Sequence, residues 1–163
     1  MQLLLRSPAR VRDAATDGTA SVEVAASPDS PARERWLWDV RLESSAAPMT
    51  DAMDAVSLEV SGAGRGIHFV NARFDASVIT AEIRVEILTA PADLRRPEGE
   101  IWVAIIEAGE LHDGSFTVRA GDVLVWEGDD PLSVALRPTG HDPVQLAVVK
   151  LGRRDGKVLR WVP

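Results

Sequence analysis

Along residues 78–88 apolar and charged side chains change places at every step: Ala81, Ile83, Val85 and Ile87 fall on one side, Glu82, Arg84 and Glu86 on the other. A period of two gathers each set on one face of a strand, whereas a helical period would scatter the apolar residues around the axis. The same alternation runs through residues 21–25, 56–60 and 36–42; in the last, Trp36, Trp38, Val40 and Leu42 oppose Leu37, Asp39 and Arg41. Residues 100–108 are apolar almost without a break, the mark of a strand buried on both faces. Gly109-Glu110, Gly121-Asp122 and the glycines at 62, 64 and 66 supply the turns, the last set closing a hairpin.

Further strands are expected at residues 2–6, 66–70, 116–119, 123–126, 132–136 and 144–151, with a last edge strand at 158–162. Pro91 and Pro97 bracket one connection; residues 46–55 form another with no clean period, where one helical turn is expected around residues 51–55. Ten to twelve short strands with turn signals every 8–12 residues predict an all-β sandwich or closed barrel. No low-complexity linker divides the chain, and 163 residues suit one domain over 1–163.

Composition narrows the function. The formal net charge of −7 disfavours a general phosphate-backbone binder, so no nucleic-acid partner is expected. No apolar run approaches the ~20 residues of a membrane helix. Residues 1–6 lack the pattern of a signal peptide, which makes a cytoplasmic location the default. With no Cys, thiolate metal sites and cysteine nucleophiles are excluded.

The order Glu100, Gly109-Glu110, Gly121-Asp122 resembles the core of a cupin, a double-stranded β-helix of the jelly-roll class. Metal-binding cupins place His residues before that Glu and after the Gly-Asp turn. Here those positions hold Leu94, Arg95 and Arg96, then Glu127 to Pro131, so neither a metal nor another cofactor is expected. Over its length the chain is similar to the HutD/Ves family, which packs two cupin-like halves into one domain. Residues 1–6 resemble that family's first strand, Ser21-Val22-Glu23-Val24 its Thr-x-Glu-Ile segment, and residues 38–42 its Trp-Arg-centred strand. The family's Trp-Lys-Asn-Gly-Gly-Gly loop falls on residues 14–19, where only Gly18 remains. The resemblance implies a non-enzymatic protein that binds a small carboxylate metabolite and modulates amino-acid catabolism, histidine breakdown in particular.

No catalytic constellation stands out, and the ligand-binding candidates are Glu23, Trp38, Arg41, His68 and Arg84. Arg41 lies opposite the Trp face and is the expected carboxylate partner, because guanidinium forks match carboxylates. The bland reading makes it a surface residue beside Asp39 or Glu43. His68 alternates into a strand and could enter a lumen, or be satisfied by a neighbour. Arg84, between Glu82 and Glu86, either grips an acid or belongs to a solvated face. His112 and His141 sit in turn sequences, where solvent exposure is expected. Two other functions stand beside the binder: a metal-independent isomerase or hydrolase using Glu or His in the lumen, and a filled barrel that self-associates, as a homodimer for example.

Overall fold

A computed structural model describes residues 3–5, 11–14, 20–27, 37–51, 53–63, 66–127 and 130–159. Fourteen strands and no helix occur among them. In chain order they are β1 (Leu3–Leu5), β2 (Val11–Ala14), β3 (Ala20–Ala26), β4 (Trp38–Glu43), β5 (Asp54–Gly62), β6 (Gly66–Phe74), β7 (Ile79–Leu88), β8 (Ala92–Arg95), β9 (Ile101–Ala108), β10 (Glu110–His112), β11 (Thr117–Arg119), β12 (Val123–Trp126), β13 (Ser133–Pro138) and β14 (Val144–Arg153). They form three antiparallel sheets, ordered β2-β3-β4-β6-β5, β1-β12-β9-β14-β7 and β11-β10-β13-β8.

Strands β12, β9 and β14 of the second sheet are shared between two apolar cores, which is why they carry so few polar residues. Ile101, Val103 and Ile105 of β9, with Val123 and Val125 of β12 and Ala147, Val149 and Leu151 of β14, pack against Trp38, Val40, Leu42, Val70, Ala72 and Phe74 of the first sheet. The intervening residues Trp102, Ala104, Ile106, Leu124, Trp126, Leu146 and Val148 pack on the other side against Leu111, Val118, Val134 and Leu136 of the third. A single alternating strand thus feeds both cores, and the apolar run of residues 100–108 reads correctly as a strand buried on both faces.

Two glycine turns work as their sequence suggests. Gly109 (φ 80°) and Gly121 (φ 93°) both occupy left-handed backbone that L-residues rarely adopt. At Gly109 a Cβ would also lie 3.0 Å from Pro143 O and Val144 Cα. The hairpin of β5 and β6 closes through Gly66 (φ 69°), with Gly62 opposite it.

Some expectations need correction. Asp54 and Ala55 belong to no helical turn: they begin β5, in register with Phe74 and Arg73. The connection between Pro91 and Pro97 contains β8, which pairs with β13, and the turn after Gly109 leads at once into β10. Val158 and Leu159 lie outside any strand, Leu159 N donating to Gly99 O (2.9 Å), and residues 160–162 lie outside the described chain. Trp36 and most of the segment matched to the Trp-Lys-Asn-Gly-Gly-Gly loop, residues 15–19, are also outside it.

Candidate functional site

Strand alternation puts Asp39, Arg41 and Glu43 of β4 on the face of the first sheet opposite Trp38, Val40 and Leu42. Register then sets Arg41 beside Glu23 on one neighbour and Asn71 on the other, with Arg73 beside Asp39. That face carries a continuous polar network. Arg41 donates through Nε to Asp39 Oδ2 (3.2 Å), through Nη1 to Ser21 Oγ (3.2 Å) and through Nη2 to Glu23 Oε2 (3.3 Å). Arg73 grips the same Asp39 with two bonds, Nε to Oδ1 (2.9 Å) and Nη2 to Oδ2 (2.5 Å). Ser21 Oγ donates to Glu43 Oε1 (2.8 Å), whose other oxygen accepts from Asn71 Nδ2 (2.5 Å).

A polar sheet face ordinarily meets water, yet Asp39, Arg41, Asn71 and Ser21 are buried. For Asn71 the cause is topological. β4 and β5 flank β6 and both run antiparallel to it, so the connection over residues 44–53 must travel back along β6. It crosses on the polar side: Asn71 Nδ2 donates to Ser45 O (2.9 Å) and Ala47 N to Ser57 Oγ (3.1 Å). Reciprocal bonds between Thr50 and Met53 close its far end (3.0 and 3.3 Å). The crossing lies over Asn71 and Ser57, and mutual pairing is what makes the burial of the neighbouring charges tolerable.

Among the described residues the network joins three carboxylates (Glu23, Asp39, Glu43) to two guanidinium groups (Arg41, Arg73). The hydrogen bond that Arg73 donates to Asp39 pushes its pKa above the ordinary value, with Asp39, Glu43 and Glu23 adding to the same effect through space. Arg73 is the accessible end of the network, its side chain 32% exposed against 5% for Asp39. Asn71 Oδ1 is buried without a hydrogen-bond partner.

A second polar pair faces inward. His68 Nε2 lies 3.2 Å from Glu107 Oε1 at one end of the first core, and His68 Nδ1 lies 3.0 Å from Gly66 O. A carbonyl only accepts, so Nδ1 carries a proton. Gly62 makes room for the pair: a Cβ there would sit 2.4 Å from Glu107 Oε2.

The five candidate residues therefore occupy separate places. Glu23 and Arg41 meet in the outer network. Trp38 is fully buried in the first core, its Nε1 without a partner. His68 pairs with Glu107, and Arg84 pairs with Glu82 on exposed β7. The sequence reading missed Asp39, Arg73 and Glu107; the alternation of residues 36–42 held a signal for Asp39 alone. His141 is exposed as expected, but His112 ends β10 and its Nδ1 accepts from Gly114 N (3.0 Å).

Where metal-binding cupins carry an imidazole, Arg96 donates to Glu100 O (2.6 Å) and Asp130 O (2.8 Å), tying two connections together. Glu100 accepts from Trp102 Nε1 (2.8 Å). Among the described residues no group of three or more His, Asp or Glu side chains is placed to hold a metal ion. No helix among them is long and apolar enough to cross a membrane.

Two solved structures share this arrangement over nearly their whole length. A conserved protein of unknown function from Pseudomonas aeruginosa is 13% identical and matches with a TM-score of 0.72, covering 93% of this chain and 99% of its own. HutD from Pseudomonas fluorescens, solved in a formate condition, is also 13% identical, with a TM-score of 0.70 over 94% of this chain and 100% of its own. At that identity the likeness establishes the fold, which is all-β, cupin-like and similar to that of HutD. No protein-family model matches the chain, and no curated protein matches it by sequence.

Proposed function

We propose that this is a cytoplasmic, non-catalytic, HutD-like protein that binds a small carboxylate metabolite and modulates amino-acid catabolism, histidine breakdown in particular. The observation that carries the reading is the convergence of Arg41 and Arg73 on the single carboxylate of Asp39. Two guanidinium forks already hold a carboxylate there, and Arg73 presents its open side to solvent. An incoming acid takes up the outer N–H groups of Arg73, while Glu23 and Glu43 meet the ammonium group when the acid is an amino acid.

A thermal-shift panel of urocanate, formylglutamate, glutamate and histidine tests this. A ligand at 100 times its Kd stabilises the folded state by about 2.7 kcal/mol. The shift should vanish in Arg73→Ala. Equal shifts in both proteins, or none at millimolar concentration, reject this site.

A second reading rests on His68 and Glu107, an acid–base pair on an inner sheet face suited to a metal-independent isomerase or hydrolase. NMR spectra of the same acids, followed over hours with the protein present, separate the two. Chemical conversion of an acid, abolished in Glu107→Gln, replaces the binder with an enzyme.

A further inference from the structure

Strand β7 ends the middle sheet: among the described residues it is hydrogen-bonded to β14 and to no other strand. Its ten-residue ladder runs from Arg153↔Ile79 to Val144↔Leu88 without a bulge. Natural edges are blunted by Pro, charged side chains, bulges or shortness; β7 has no Pro, Lys or bulge, and its three charges alternate in sign. Its first half is covered, since Ile79 is fully buried and Ala81 and Ile83 pack on the first core. The second half turns apolar surface outward, with Val85 39% and Ile87 64% exposed.

We propose that β7 is the pairing edge of a two-fold symmetric homodimer, in which a second copy of this chain extends the middle sheet. The charges on the strand select the register. Antiparallel pairing about a two-fold axis must centre on one residue of the strand. Centring on Glu82 or Glu86 sets Glu against Glu, and centring on Arg84 sets Arg against Arg, so these are disfavoured. Centring on Ile83 pairs Arg84 with Glu82 of the second copy, but leaves Ile87 opposite buried Ile79. Centring on Val85 suits the central positions and leaves only the ends mismatched, Glu82 falling opposite Leu88. Arg84 lies opposite Glu86 of the second copy on both sides of the axis, Val85 meets Val85, and Ile87 meets Ile83. The two exposed apolar side chains of the strand are those this register covers.

The experiment is sedimentation velocity of the full chain over a concentration series, with three sets of variants. The wild type should sediment as a dimer. Val85→Lys, which sets two ammonium groups face to face, should give a monomer with unchanged circular dichroism. Arg84→Glu should also dissociate, and Arg84→Glu with Glu86→Arg should restore the dimer, because only the register centred on Val85 exchanges those two positions. The chain has no Cys, so Val85→Cys offers a direct check that does not depend on disruption. Mild oxidation should cross-link V85C into a covalent dimer and leave I83C without a cross-link. A wild type that remains monomeric at the highest concentration overturns the proposal. So does a dimer that survives Val85→Lys, failure of the double charge exchange, or cross-linking of I83C in place of V85C.

Discussion

His68 and Glu107 approach to 3.2 Å across two different sheets, although 39 positions separate them in the chain. One face of the pair is Gly62, whose missing side chain leaves the space that the Glu107 carboxylate fills. Gly62→Ala should destabilise the protein by about 1–3 kcal/mol, because the new methyl overlaps a buried charged group. In Glu107→Ala the same Gly62→Ala change should cost far less. A double-mutant cycle by urea denaturation measures the coupling, and additive effects would show that the carboxylate does not rest on Gly62.

Gly109 and Gly114 both have positive φ, 80° and 95°, but their surroundings differ. A Cβ at Gly109 meets Pro143 and Val144 at 3.0 Å, whereas at Gly114 nothing lies within 4 Å. Both alanine variants carry the backbone strain of about 1–2 kcal/mol, and only Gly109→Ala adds a clash. Denaturation midpoints should fall in the order wild type, Gly114→Ala, Gly109→Ala. Equal losses would remove the steric part of the account.

Removing Arg41 takes away the guanidinium that bridges Glu23 and Asp39. Arg41→Ala should cost about 3–5 kcal/mol, the usual penalty for breaking a buried ion pair. Arg41→Lys should recover only part, since an ammonium cannot reproduce the three directed bonds to Asp39, Ser21 and Glu23. Arg137→Ala serves as the control: its pair with Asp93 is exposed, and the change should stay within about 0.5 kcal/mol. Comparable losses at Arg41 and Arg137 would mean that the network is not insulated from water.

At the end of β14, Arg153 grips both oxygens of Asp155 (2.8 and 2.7 Å). That hydrogen bond holds the Asp155 carboxyl well below the usual carboxylate range. A depressed folded-state pKa stabilises the fold above the unfolded-state value, and the contribution fades as pH falls toward the folded-state one. Carbon-detected NMR titration should find Asp155 still ionised where ordinary aspartates are protonated. Arg153→Ala should return it to the ordinary range, and an unchanged midpoint would assign the shift elsewhere.

Much of this was legible where one period persists. The alternation of residues 78–88 yields β7, and the unbroken run of residues 101–106 yields a strand buried on both faces. Strands β8 and β10 escaped because four and three residues between Pro or Gly are too short to display a period. Alternation also placed Asp39 and Arg41 on one face. It could not show that the face is covered, because the crossing of residues 44–53 depends on β6 lying between β4 and β5. Arg73 and Glu107 find their partners only through pairing between sequence-distant strands, for which a single sequence holds no local signal.

The sharing of the middle sheet also bears on how the chain emerges during synthesis. Strands β2 to β6 close on themselves by near-neighbour pairing, so the first sheet can assemble as soon as Phe74 has appeared. Its apolar face must then wait, since the sheet that covers it joins β1 to β12 and is completed only by β14. Such long-range closure is slow. A nascent chain stalled between β6 and β14 thus presents the Trp38, Val40 and Leu42 surface to its surroundings, and that interval is when a chaperone has most to recognise.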